Sequence, residues 1–287
     1  DVSLDVGPQA GRAELNSATV VGYFDPMHAR TWTYVAIAAA AALTACRAGF
    51  RVNTFPSNEA LYAAGVREFE REHWSNAVAA FEKLTTDLPA RDTLLPRSYW
   101  YLGQSHRRQK EHLLAAQSFS RLLESFPDDT LADDAAMEAA RSYKQMWRKP
   151  TLDATYGETA LATYNTMLGL YPTSEHADAA RREMAELEQW FATKNYETGL
   201  FYFRRKGYDS ANIYFVYVIE RWPHVPRARD ALLRLAESYR AIRYREQFVE
   251  TCNRLRQGYP GDPEVADVCH DAPVADTTAT VRPIPGE

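Results

Sequence analysis

The sequence predicts an all-α fold, a right-handed α-solenoid of about five helix hairpins. Two observations carry that prediction. Asn195 to Pro223 reads as two short amphipathic helices, parted by a turn at Arg205-Lys206-Gly207 and closed at Trp222-Pro223. A leucine or aromatic residue followed by proline recurs at Leu88-Pro89, Phe126-Pro127, Tyr171-Pro172 and Tyr259-Pro260, each after similarly spaced small and large apolar residues. Ala-rich helical segments dominate and strand-like alternation is scarce. One hairpin cannot bury its own apolar face, so copies have to stack into a continuous core.

Within 195–223 each residue type has a physical reason. Gly199 lets two helices approach closely, and Tyr202 one turn later fills the space beside it. Ala211 and Phe215 form a small-large i,i+4 pair on the second helix, and Pro223 cannot continue a helix. These positions sit at the offsets of a tetratricopeptide repeat.

Taken in order, residues 1–26 precede the first methionine and show no helical period, which reads as an upstream extension outside the functional protein. Met27-His28-Ala29-Arg30 is a short positive region and Trp32 to Leu43 an apolar one, together a secretory signal peptide over 27–45. The apolar run is shorter than the roughly 20 residues a spanning helix needs. It ends Leu43-Thr44-Ala45-Cys46, which resembles the bacterial lipobox, so Cys46 is the expected site of acylation. Several acyl chains would anchor the protein stably. Under enterobacterial sorting rules Arg47 resembles an outer-membrane destination, facing the periplasm. Residues 46–57 form a lipidated linker, and Pro56-Ser57-Asn58 starts the first helix.

Repeats 1–3 occupy 58–172. The first has Leu61, Ala64 and Gly65, then Ala77, Phe81 and Leu84; the second has Tyr99, Leu102 and Gly103, then Ala115 and Phe119. The third has Ala136, Ala139, Ala140 and Tyr143, then Ala160 and Tyr164. A connecting helix and repeats 4–5 occupy 173–262, the last with Leu232, Leu235, Ala236 and Tyr239, then Phe248 and Cys252. The closing prolines lie 38, 45, 51 and 37 residues apart. The excess in the third copy reads as a longer loop around Arg148-Lys149-Pro150-Thr151. That in the fourth reads as one extended helix from Ser174 onward. Residues 263–287 read as a largely disordered tail rich in Ala, Thr, Pro and Val. Cys252 and Cys269 either form a disulfide that pins the tail to the last helix, or remain two thiols with Cys252 filling a core position.

The composition is ordinary for a soluble chain of 287 residues, and a net charge of −5 gives no basic field for nucleic acid. Basic clusters at Arg107-Arg108, Arg181-Arg182 and Arg204-Arg205-Lys206 read as solvated complements to helix dipoles, with partner contact as the alternative. No phosphate-binding Gly loop, His-Glu-x-x-His helix, Gly-x-Ser-x-Gly elbow or Cys-x-x-Cys pair occurs, so no catalytic residue, metal or cofactor is predicted. Glu183, Glu186 and Glu188 read as a solvated helix face. Phe203, Tyr214 and Tyr217 exceed what the repeat needs, which leaves plain packing or a partner site.

A lipobox followed by five such repeats resembles the BamD family, the lipoprotein subunit of the outer-membrane β-barrel assembly machinery. The resemblance covers Cys46 to about Pro260. Glu197, Gly199, Tyr202, Arg204, Arg205, Lys206, Gly207, Tyr208 and Ala211 match the family's most specific stretch, and Tyr171-Pro172-Thr173-Ser174 its Tyr-Pro-x-Ser. The resemblance implies a non-enzymatic scaffold that binds the barrel insertase, other assembly lipoproteins and unfolded outer-membrane proteins. Arg204, Arg205, Tyr208 and Tyr214 are then candidates for insertase contact, and Tyr99, Arg107 and Arg108 for substrate. One departure is Tyr214, which stands where the family has a basic residue, so the contact made there does not carry over. The rival reading is another periplasmic repeat lipoprotein, scaffolding cell-wall or division complexes.

Overall fold

The computed structural model describes residues 49–273. The chain divides into two units after Arg51, and the second carries every helix described. After a 3₁₀ turn at Val52–Thr54 come α1 (Asn58–Glu70), α2 (Trp74–Asp87), α3 (Leu94–Arg108), α4 (His112–Ser125), α5 (Ala132–Met146) and α6 (Thr155–Leu170). The series continues with α7 (Ala177–Arg204), α8 (Tyr208–Arg221), α9 (Pro226–Ala241), α10 (Arg245–Gly258) and α11 (Pro263–Val268). No strand occurs among the described residues. Each helix packs chiefly on its neighbours in sequence. The architecture is the predicted all-α stack of five tetratricopeptide-like hairpins, with α11 closing the end.

A small residue on the first helix of a hairpin faces an aromatic ring on the second. A Cβ on Gly103 would lie 2.6 Å from Cε1 of Phe119, and one on Gly199 2.7 Å from Cε1 of Phe215. At Gly65 the nearest ring atom is Cζ of Phe81, at 3.0 Å. All three phenylalanines are fully buried. The fifth hairpin uses Ala236 and Cys252, both fully buried. The third adds the lock in reverse, with Gly157 on α6 beneath the ring of Trp147, just past α5.

The turns inside hairpins one, two, four and five share one closure. Glu72, Lys110, Lys206 and Arg243 all adopt left-handed backbone, with φ between 62° and 63°. In each the next amide reaches back five residues, as in His73 N to Glu68 O at 2.9 Å and Gly207 N to Tyr202 O at 3.0 Å. This satisfies carbonyls that the helix end would leave open. Gly207, at φ −81°, is instead the N-cap of α8.

Helix α7 runs 28 residues, about 42 Å at 1.5 Å per residue. Its first half lies along the third hairpin, where Trp190 meets Trp147 at 5.4 Å between ring centroids. Its second half pairs with α8, where Tyr202 stacks on Tyr214 at 5.7 Å. One helix therefore belongs to two hairpins, which accounts for the long interval between Pro172 and Pro223.

The start of the segment read as a disordered tail is ordered. Asp262 accepts from Glu264 N and Pro263 opens α11, whose Val265 and Val268 are buried along with Cys269 and Ala272. Cys252 and Cys269 are joined by a disulfide. The Arg256 guanidinium donates to the carbonyls of Cys269 and Ala272 at 2.7 and 2.8 Å. The bridge is the first of the two readings the cysteines left open, whereas the Arg256 contacts are tertiary and tail composition does not reveal them. Residues 1–48 and 274–287, including the expected signal peptide, Cys46 and the rest of the tail, lie outside the described residues.

Two substitutions separate the glycine lock from helix propensity. Gly103→Ala is expected to lower stability by about 1–2 kcal/mol despite better propensity, because the buried Phe119 ring cannot yield. Gly169→Ala, whose Cβ meets nothing within 4 Å, is expected to raise it by up to about 1 kcal/mol. Urea unfolding reads both. Breaking the 17-residue disulfide loop with Cys252→Ser and Cys269→Ser is expected to cost about 3 kcal/mol. Hydrogen exchange should show that loss in α10 and α11 and leave α1 to α4 unchanged.

Candidate partner-binding surfaces

The first surface is a groove of about 650 Å³ lined by residues of α3, α4, α5 and α7. An ion-pair ladder crosses it from hairpin to hairpin. Glu138 pairs with Arg107 at 3.2 Å and with Arg141 at 3.0 Å. Arg141 continues to Glu183 at 2.8 Å. Lys144 then joins Glu183 at 3.2 Å and Glu186 at 2.6 Å. The Tyr164 hydroxyl donates to Glu183 from below at 2.6 Å.

Burial pushes the Glu183 carboxyl up, but hydrogen bonds from Tyr164 and Arg141 and the charges of Lys144 and Arg141 outweigh it and leave it below the ordinary range. Burial, reinforced by Glu183, drives the Tyr164 hydroxyl far up, so it stays a donor. Glu183 is thus a bridging group, whereas the sequence reads it as part of a solvated face; Glu186 stays exposed there and pairs with Lys144 alone. The first half of α7 lies beside α5, a neighbour that local sequence does not announce. Glu188 is likewise engaged, with His224 at 2.9 Å.

Of the sequence-derived substrate candidates, only Arg107 faces this groove. Arg108, next along the helix, points away and sits over the Trp74 ring at 5.6 Å. Tyr99 is half-buried against the core of the second hairpin. The structure does not bring the three together. Arg182 lines the groove, exposed and without a carboxylate partner among the described residues. It belongs to a pair read as complementing a helix dipole, yet it lies in the second turn of α7, near the positive end. Arg181 pairs there with Asp178 instead.

The second surface surrounds the end of α7 and the outer face of α8. Arg205 lies 3.7 Å over the Phe201 ring, Arg204 is exposed, and Tyr208 meets Phe203 edge-on at 5.4 Å. Tyr214, half-buried by its stack on Tyr202, also lines a groove of about 640 Å³ with Leu161, Phe191 and Trp222. Ile213 at 69% and Tyr217 at 49% exposure stand on its rim, four residues apart on one helix face. Tyr217 was legible as surplus; Ile213, an ordinary apolar residue in sequence, was not. The four insertase candidates thus gather around one turn and one groove.

Among the described residues no group of three or more His, Cys, Asp or Glu is placed to hold a metal ion. No described helix is long and apolar enough to cross a membrane.

Helix hairpins locked by small-aromatic pairs, with grooves between successive units, define a tetratricopeptide-like repeat protein. The chain belongs to the YfiO family, described as outer membrane lipoprotein, which it matches over residues 56–255. It is similar to the outer membrane protein assembly factor BamD of Caulobacter vibrioides, 26% identical over 80% of this chain and 76% of that protein. The BamD of Xylella fastidiosa is 23% identical over 76% of this chain and 77% of its own length. Among solved structures, the TPR domain of P58(IPK) covers 74% of this chain and 54% of its own, with a TM-score of 0.40 and 12% identity.

The ladder gives a pH expectation. Because Glu183 titrates lower in the fold than in the open chain, its contribution is present above the ordinary carboxylate value of 4.5 and is lost as pH falls through the folded value. Glu183→Gln is expected to cost about 1–3 kcal/mol at pH 7 and to flatten that acid loss. Thermal melts from pH 3 to pH 7 measure both.

Proposed function

We propose that the chain is a non-enzymatic scaffold lipoprotein of the outer-membrane β-barrel assembly machinery, anchored through Cys46 and facing the periplasm. It holds the barrel insertase at one set of repeats and unfolded outer-membrane proteins at another, alongside other assembly lipoproteins. The observation that carries this reading is the family match over residues 56–255, with two relatives named as outer membrane protein assembly factors.

The two surfaces divide the labour. The groove from α3 to α7 offers side chains at repeat intervals, which suits an extended chain, and Arg107 and Arg182 supply its charge-bearing contacts. The α7–α8 surface offers rigid aromatic area beside exposed guanidinium groups, the composition of interface hot spots. Tyr214 there replaces a basic contact with an aromatic one, so the insertase should meet it with an apolar or ring-stacking group.

Pull-down of the detergent-solubilised protein from its own envelope tests the reading. Recovery of the barrel insertase is expected, and Arg205→Ala with Tyr214→Ala should reduce it by about ten-fold or more. Cross-links from position 182 to unfolded barrel protein should survive that double substitution. Recovery of cell-wall or division proteins in place of the insertase would favour the rival scaffold reading and defeat this one.

A further inference from the structure

The basic residues of the second and third hairpin turns have no role in either partner surface. Lys110 occupies the left-handed tip of the turn between α3 and α4. Arg148 and Lys149 lie in the loop from 147 to 154 between α5 and α6, and all three are exposed. None of them pairs with a carboxylate among the described residues. Exposed leucines share the same tips: Leu113 and Leu114 open α4, and Leu152 crowns the loop at 50% exposure. The two turns adjoin, since Lys110, Leu113, Leu114, Met146 and Arg148 line one shallow depression of about 410 Å³. Two acids share the patch: Glu111 lines the same depression and bonds to His106 at 2.7 Å, and Asp153 accepts from the Thr155 amide at 3.0 Å.

We propose that the tips of the turns at 108–114 and 147–154 form a membrane-contact surface that docks on anionic lipid headgroups. Leucines on protruding turns can dip into the headgroup boundary while the flanking ammonium and guanidinium groups meet phosphates. Charge complementarity selects the anionic surface, because the cations Lys110, Arg148 and Lys149 outnumber the acids Glu111 and Asp153 at these turns in a chain whose net charge is −5. An acyl chain at Cys46 would hold the protein at a bilayer without fixing its orientation; this contact would fix it. The inference rests on the anchoring reading only for bringing the chain to the bilayer. The α7–α8 groove shares no lining residue with the depression, whereas the groove from α3 to α7 meets it at His112 and Gln145.

Protein isolated from membranes, floated with vesicles of neutral phosphatidylcholine or with vesicles containing phosphatidylglycerol, tests this by hydrogen exchange. Flotation on neutral vesicles reports the anchor alone. Slower exchange at 108–114 and 147–156 on anionic but not neutral vesicles is expected, with the turns at 204–207 and 242–245 unchanged. Each basic residue near an anionic surface contributes about five-fold, so Lys110→Asn, Arg148→Gln and Lys149→Gln together should reduce docking by about 100-fold. Raising salt from 0.1 to 1 M, which shortens screening from about 10 to 3 Å, should weaken the protection too. Equal exchange on both vesicle types would overturn the proposal, as would protection that survives the triple substitution. Protection that requires added assembly proteins rather than lipid would assign the patch to an acidic protein surface and overturn it equally.

Discussion

The close approach of two helices across a missing Cβ is the constraint on which the rest of this structure depends. Where Gly103 or Gly199 faces a buried phenylalanine, no side chain larger than hydrogen fits without moving the ring. That contact sets the spacing inside the hairpin, and the spacing sets which faces remain for the next hairpin to cover. A solenoid has no central core to absorb an error. Each unit is held only by its neighbours, so a local change in helix separation displaces everything stacked beyond it. The reversed Trp147–Gly157 lock shows that geometry is kept here rather than residue order.

The second constraint is the double membership of α7. A 28-residue helix that serves the third hairpin with its first half and the fourth with its second makes a step in the stack. Two consequences follow from that step. Glu183 and Glu186 are carried alongside α5, where they complete the ladder through Arg141 and Lys144. Farther along, residues 188–195 of α7 help to line the groove against α8 and α6, leaving Ile213 and Tyr217 uncovered. Both candidate partner surfaces therefore derive from one extended helix.

This explains which features were legible in the sequence. The pairs Gly103–Phe119, Gly199–Phe215 and Ala211–Phe215 recur at fixed offsets because each hairpin solves the same packing problem, so a repeat pattern exposes them. The ladder could not be read that way. Glu183 joins Arg141 and Lys144 only because α7 runs beside α5, and nothing in the spacing of charges along one helix encodes a neighbour 42 residues distant. The same limit separated Arg107 from Arg108: adjacent in sequence, they point to different faces. The left-handed turn position fell on Lys206 rather than Gly207 because the closure is fixed by the helix-end hydrogen bonds, which four different hairpins reproduce with no glycine at the left-handed position.

The recurring left-handed turn also bears on how charge is distributed. A non-glycine residue in that conformation costs roughly 1 kcal/mol, so its presence at Glu72, Lys110, Lys206 and Arg243 is a cost that glycine would remove. Three of those four side chains are cationic, and each sits beside the negative end of the preceding helix, where a positive charge recovers part of the penalty. Dipole complementarity accounts for the cations at those three tips but not for leucines beside one of them. Leu113, Leu114 and Leu152 gain nothing from the helix end and remain exposed at the turns. Local helix chemistry explains the charges singly, and the membrane contact proposed above brings charges and leucines under one account.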